Sequence, residues 1–217
     1  MGVAKVVNLG YGAFITLTAY IYSTLAEAMD SHLAALLAIP LATAIGTAGY
    51  IVLAYIRRLE LVMLVVSLSI ALFIEGALYM IYGPYQRVVP LVVKGSVGWL
   101  PAQWLVSSLV AGLAIFVYYA VLKTQMGRRM VAVAENPELA LSYGIDRTRV
   151  DLFTLMLSSL FAAIAAVMIA PFLTITPHTS WLFLLTTFAV VIVGGVGSAV
   201  GSIVAGLIIS FAERLSA

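Results

Sequence analysis

Cysteine is missing altogether from this 217-residue sequence, which removes disulfides, thiol catalysis and cysteine-held metals from consideration and leaves the redox compartment unread. Charge is nearly as scarce. Asp, Glu, Lys and Arg make up 9% of the chain, against about 25% in an ordinary soluble domain. So thin a supply could not keep the surface of a soluble domain wetted. The net charge of +2 is too small to mark a nucleic-acid partner. Neither a GxxxxGKS/T phosphate loop nor an HExxH zinc motif occurs. The two histidines, His32 and His178, stand far apart beside predicted loops, where surface residues are commoner than metal ligands. No nucleophile–base pair is recognisable. The reading is of a chain that is not itself an enzyme and that implies no metal and no cofactor.

What the sequence has is apolar length. Hydrophobic residues account for 64% of it, and the mean hydropathy is +1.15. Five runs stand out: Val6–Ala26, Leu33–Ile56, Leu61–Tyr82, Trp104–Leu122 and Leu152–Ala170. Each is close to the length, about 20 residues, that carries a helix across the hydrocarbon core. A helix satisfies its own backbone polar groups, which lipid cannot do, and the runs lack the alternation of a barrel strand. The first run is longer than the apolar region of a signal peptide and only Lys5 precedes it, so it reads as a span. The last stretch, Trp181–Phe211, is too long for one upright crossing and is interrupted by Gly194-Gly195-Val196-Gly197-Ser198. One tilted, broken helix or two short crossings (181–194 and 199–212) joined by a glycine turn would each account for it. Periodicity does not decide between them. The fold class expected is all-α, a polytopic transmembrane bundle of six to seven membrane segments.

Lys and Arg fix the orientation. The loops Glu27–His32 and Pro171–Ser180 have none, and Gly83–Gln103 spreads Arg87 and Lys94 over a long stretch. The loop after the second run holds Arg57 and Arg58, and the segment 123–151 holds Lys123, Arg128, Arg129, Arg147 and Arg149. The rich loops, and the N-terminus with Lys5, are therefore expected on the cytoplasmic side. Small residues recur every fourth position at Ser158, Ala162, Ala166 and Ala170, and Gly197 and Gly201 form a GxxxG; both patterns suit close helix packing in lipid.

Two features are candidates for function. In the 123–151 segment, Arg128–Glu135 is built from helix formers. Asn136 then reads as an N-cap, Pro137 as the first helical residue and Glu138 as a charge at the positive helix end, with Gly144 as the stop. A folded cytoplasmic loop of this kind serves either as a docking surface or as a solvated connector. The second feature is Glu75, the one ionisable residue deep within a long run. Its cost in lipid predicts that it faces protein or a polar path, either lining a route for a polar solute or bonding helix to helix. Asn8 invites the same two readings.

Met126–Ile145, with its GRRMVAVAENPELALSYGI, resembles the cytoplasmic loop of branched-chain amino-acid ABC transporter permeases. So does Pro171–Glu213, whose FAVVIVGGVGS core (Phe188–Ser198) is similar to that family's apolar run into GG-x-GS. Upstream, VNLGYG (Val7–Gly12) resembles the family's INFAHG, and LSIALFIEGALYMIYGP (Leu68–Pro84) resembles its LSxxLQN…FGP segment. Tyr11 stands where the family usually has His, and Glu75 where Gln is common. Both fall in segments that the resemblance sets toward the solute, which leaves the solute's identity open. By the same resemblance a helix before Met1 and another after Ala217 are expected.

The resemblance implies a permease subunit in a prokaryotic cell membrane, part of an ATP-driven importer of branched-chain or other small apolar amino acids. It implies as partners cytoplasmic ATP-binding subunits, a second permease subunit and an extracytoplasmic solute-binding protein, besides the lipid bilayer. The ATPase would meet Arg128, Arg129, Glu135, Asn136, Pro137, Glu138 and Gly144, and also a tight turn at Gly194, Gly195, Gly197 and Ser198. Asn8, Tyr11 and Glu75 would lie along the translocation path. Two other kinds of protein remain open at this point: an ion- or proton-coupled secondary carrier with Glu75 as coupling site, or a non-transporting membrane assembly subunit.

Overall fold

The computed structural model describes residues 9–56, 60–97, 100–195 and 198–216. Lys5, Asn8, Arg57, Arg58 and Gly197, all named above, lie outside the described residues. The helices are α1 (Tyr11–Ala28), α2 (Ser31–Ile56), α3 (Glu60–Tyr82), α4 (Ala102–Lys123), α5 (Gln125–Glu135), α6 (Pro137–Ser142), α7 (Arg147–Ile169), α8 (Thr179–Gly194) and α9 (Ala199–Ser216). Stretches of α2, α3, α4 and α7 are long and apolar enough to cross a membrane by length and composition, and α8 and α9 are shorter apolar helices. The chain is an all-α bundle of the kind a polytopic membrane protein makes. Four two-residue strands occur only in connections: β1 (Arg87–Val88) pairs antiparallel with β4 (Thr174–Ile175), and β2 (Ser96–Val97) with β3 (Leu100–Pro101).

Helix α1 is the axis. It packs against α2, α3, α7 and α8, and Gly12, Ala13, Phe14, Thr16, Thr18, Ala19, Tyr20, Tyr22 and Ser23 are all buried on it. Its buried threonines cost little, because Thr16 and Thr18 donate to the carbonyls of Gly12 (3.2 Å) and Phe14 (2.8 Å) in their own helix. Small residues allow the close approach. The buried residues of α7 are Val150, Ser159, Ala163, Ala166 and Val167, with Ala170 buried just past its end. Of the fourfold stripe expected from sequence, Ala166 and Ala170 are fully buried, and Ser158 and Ala162 are half-buried at the margin. Helix α4 is the outlier: among its described residues only Gln103 is buried.

The two ends of the bundle differ. At one end, Arg87 on β1 reaches Glu27 at the end of α1 (3.2 Å) and stacks over the Tyr82 ring. The Tyr22 hydroxyl donates to the Pro90 carbonyl (3.0 Å), and Gln103 Oε1 accepts from Val93 N (2.9 Å). The β1–β4 ladder ties the α3–α4 connection to the α7–α8 connection. We call this the cap end. From it α4 runs 22 residues, roughly 33 Å at 1.5 Å per residue, to the basic segment holding α5 and α6, and α7 returns. That opposite end is the basic end.

The Trp181–Phe211 stretch is two helices side by side. A Cβ on Gly194 would sit 2.6 Å from Ser202 N, a Cβ on Gly201 would overlap the Gly194 carbonyl, and Gly206 faces Val190 across the pair. Late α8 thus lies beside early α9 and earlier α8 beside later α9, so the chain reverses between them. Gly195 has φ +84°, which glycine adopts without strain, and Ser198 Oγ accepts from Gly201 N (3.0 Å) to cap α9.

Glycine at position 12 is a packing requirement: a Cβ there would lie 2.7 Å from Leu184 N of α8. Gly12→Val should overpack the α1–α8 contact and cost about 1–3 kcal/mol, visible as a lower unfolding temperature of the purified protein in detergent. Gly112→Ala on α4, with nothing within 4 Å, should stay within about 1 kcal/mol of the parent. Equal behaviour of the two variants would contradict the packing described.

Candidate functional site

Glu75 lies on α3 within the apolar stretch Leu64–Tyr82, two helical turns or about 10 Å before its cap-end terminus. Its side chain is 12% exposed and turned toward protein. Oε1 is 3.0 Å from His178 Nδ1, a hydrogen bond when the imidazole is neutral and an ion pair when it is protonated. Oε2 accepts from the Ser180 hydroxyl at 3.3 Å, which that hydroxyl shares with the Pro177 carbonyl at 3.1 Å. The carboxylate has about four acceptor positions, and these contacts use two. Beside it is a cavity of about 10 Å³, lined by Ala13, Leu68, Ala71, Leu72, Trp181 and Leu184; that is room for about one water.

The local chain explains why His178 and Ser180 arrive there. After β4 at the cap end, the Thr176 amide donates to Thr179 Oγ1 (2.9 Å) and the Thr179 amide to the Thr176 carbonyl (3.0 Å). This tight turn starts α8 at Thr179. Ser180 and Leu184 pack against Gly12 of α1. The connection read from sequence as an external loop thus dips into the bundle and delivers a histidine to the acid. From this depth α8 covers its 16 residues, roughly 24 Å, and ends at Gly194 near the level where α3 begins.

The other sequence-predicted residues are placed as follows. Tyr11 opens α1, packs against the cluster of Phe14, Ala42 and Ala163, and its hydroxyl meets Ser158. Asn8 is outside the described residues. In the basic segment Asn136 caps α6, its Oδ1 accepting from Leu139 N (3.0 Å), with Pro137 at the first helical position; Gly144 has φ +74°. Arg128, Arg129, Glu135, Asn136, Glu138 and Gly144 are exposed and Pro137 half-buried. Met130, Val133 and Ala140 pack on Val150 of α7, holding α5 and α6 to the bundle. The underside is therefore fixed, while Leu139, Leu141 and Tyr143 are 55%, 53% and 78% exposed. Gly194, Gly195 and Ser198 flank the α8–α9 reversal, and Gly197 is outside the described residues. The structure brings the α5–α6 segment and this reversal to the same end of the bundle.

His178 and Ser180 were missed by sequence reasoning. Pro177-His178-Thr179-Ser180 reads as a polar lead-in to an apolar run, and no spacing rule links it to an acid 103 residues earlier. Among the described residues no three His, Asp or Glu side chains converge, so the site offers hydrogen bonds and charge rather than metal coordination.

Buried small-residue helix contacts, apolar outer faces and a carboxylate bonded inside a span define a multi-pass membrane protein. The chain belongs to the family of branched-chain amino acid transport system permease components, whose profile matches residues 1–217. Among its relatives is the high-affinity branched-chain amino acid transport system permease protein LivH of Salmonella typhimurium, 26% identical over 174 residues, or 72% of this chain and 54% of the relative. The probable branched-chain amino acid transport permease protein LivH of Methanocaldococcus jannaschii is 36% identical over 103 residues, 48% of this chain and 33% of the relative. The permease protein BraD of Pseudomonas aeruginosa is 25% identical over 169 residues, covering 73% and 55%. The chain spans about half the length of the LivH and BraD proteins aligned over most of it. No solved structure matches it.

Proposed function

We propose that this chain forms the membrane path of an ATP-driven importer for branched-chain or other small apolar amino acids in a prokaryotic cell membrane. The observation that carries the reading is the family profile running across residues 1–217. Several structural features support it. The basic end presents a rigidly backed helix pair with an exposed Leu139, Leu141 and Tyr143 edge and exposed Arg128 and Arg129; aromatic and arginine side chains of this kind suit a protein partner. The Gly194–Ser198 reversal lies at that same end. In this reading the basic end is cytoplasmic and both features meet ATP-binding subunits. The cap end faces an extracytoplasmic solute-binding protein, and a second permease subunit completes the path. Closure of the ATPase pair displaces α6 and the α8–α9 turn, and α8 carries that displacement as a rod to the level of Glu75.

Reconstituted with its partner subunits in vesicles, the protein should take up leucine only when ATP is supplied, and an uncoupler should leave uptake intact. Uptake that survives ATP removal and stops with an uncoupler would instead establish a proton-coupled carrier. The topology has its own test. In this cysteine-free chain, Ser198→Cys should react with a membrane-impermeant thiol reagent from the cytoplasmic face. Protection of Ser198→Cys from both faces, with Ser216→Cys labelled only from the cytoplasm, would place the glycines at mid-membrane and remove them from the ATPase contact.

A further inference from the structure

We infer that Glu75 is the recognition point for the solute's ammonium group, and that the incoming ammonium takes the place of His178. The inference rests on the importer reading and names what its path selects.

Four observations converge on it. First, Glu75 is a carboxylate two turns inside an apolar span. A charge at that depth is rare, and it marks a substrate or ion route when it faces protein or water. Second, its partner is exchangeable. His178 sits on the connection before α8, and its side chain is 69% exposed whereas that of Glu75 is 12% exposed. Irregular backbone and an open imidazole at this depth are tolerated only where protein covers them or water reaches them, so the His178 side of the contact is the side from which a solute arrives. Third, the carboxylate holds acceptor capacity in reserve. His178 and Ser180 occupy one position on each oxygen, and an ammonium brings three donors. Fourth, the cavity on the protein side of Glu75 is apolar apart from Glu75 and Ser180, with Leu68, Leu72, Trp181 and Leu184 in its wall. A carboxylate set in an aliphatic and aromatic wall matches a primary ammonium attached to a branched aliphatic chain.

The present cavity admits one water-sized group. The structure is therefore the closed form, with His178 standing in for the ammonium. Admission requires His178 to withdraw and α3 to part from the start of α8, where the Glu75 bonds to His178 and Ser180 tie the two helices.

Histidine ring signals read the exchange directly, because the chain has only His32 and His178. The full chain, labelled with ring-13C histidine in lipid nanodiscs at fixed pH, is titrated with L-leucine, with 3-methylbutylamine, which keeps the ammonium and lacks the carboxylate, and with 4-methylpentanoate, which keeps the carboxylate and lacks the ammonium. His178→Asn assigns the signal. Leucine and the amine should shift the His178 resonance saturably, the acid should not, and Glu75→Gln should weaken both responses about tenfold. No shift with leucine or the amine, an equal shift with the acid, or undiminished affinity in Glu75→Gln would each overturn the inference. ATP-dependent leucine uptake by the reconstituted importer separates the two levels. Uptake that needs ATP and is unaltered in Glu75→Gln removes the ammonium site and leaves the importer. Saturable His178 shifts with ATP-independent uptake would retain the site and remove the importer.

Discussion

A carboxylate held inside an apolar span is the constraint around which this bundle is arranged. Burying a charged group at the centre of a membrane helix costs about 3 kcal/mol on insertion scales, and a hydrogen bond to a charged group returns about 1.5–3 kcal/mol. The contacts from His178 and Ser180 offset part of that cost at Glu75. The fold supplies both from a single turn, His178 and Ser180, by bringing the chain down from the β1–β4 ladder before α8 begins. The short length of α8 follows. It starts at the depth of the acid rather than at the membrane surface, so 16 residues suffice to reach the basic end.

The same arrangement links the two ends mechanically. Helix α8 is seated on α1 at Gly12, where no side chain fits between the backbones, and on α9 through Gly194 and Gly201. Close backbone contacts of this kind transmit a shift instead of absorbing it, because packed interfaces have few intermediate arrangements. In the proposed reading, movement of the α8–α9 reversal reaches the start of α8, at Ser180 and beside His178. In an importer this couples events at the ATP-binding subunits to the tie between α3 and α8. Helix α4, with little of its surface covered by the rest of the chain, plays no part in that line and joins the cap end to the basic segment.

How much of this could be read from sequence depends on the range of the interaction. The helical bundle was legible because lipid sets a length and an apolarity that each run displays on its own. The α6 cap was legible because Asn136, Pro137 and Gly144 act within a few residues of one another. The small-residue stripe of α7 was legible in its later half, where Ala166 and Ala170 are fully buried, while the neighbours on α1 and α2 leave Ser158 and Ala162 half-buried. The glycine cluster at 194–198 marked a break without saying whether the chain reversed; the contact between Gly194 and Gly201 is what shows the reversal. Glu75 was marked by its cost, but its partners were not, because nothing local in Pro177–Ser180 distinguishes a surface loop from one that descends two helical turns.

The central claim is that water and solute reach the Glu75 contact from the cap side, and thiol accessibility at position 178 tests it most directly. In oriented membranes of this cysteine-free chain, His178→Cys should react with an impermeant maleimide added to the extracytoplasmic face nearly as fast as Tyr85→Cys in the exposed cap loop. Phe73→Cys, on the outer surface of α3 at a similar depth, should stay unreactive. A His178→Cys variant as inert as Phe73→Cys would place the contact in lipid or beneath a permanent cover, and would contradict a path through Glu75.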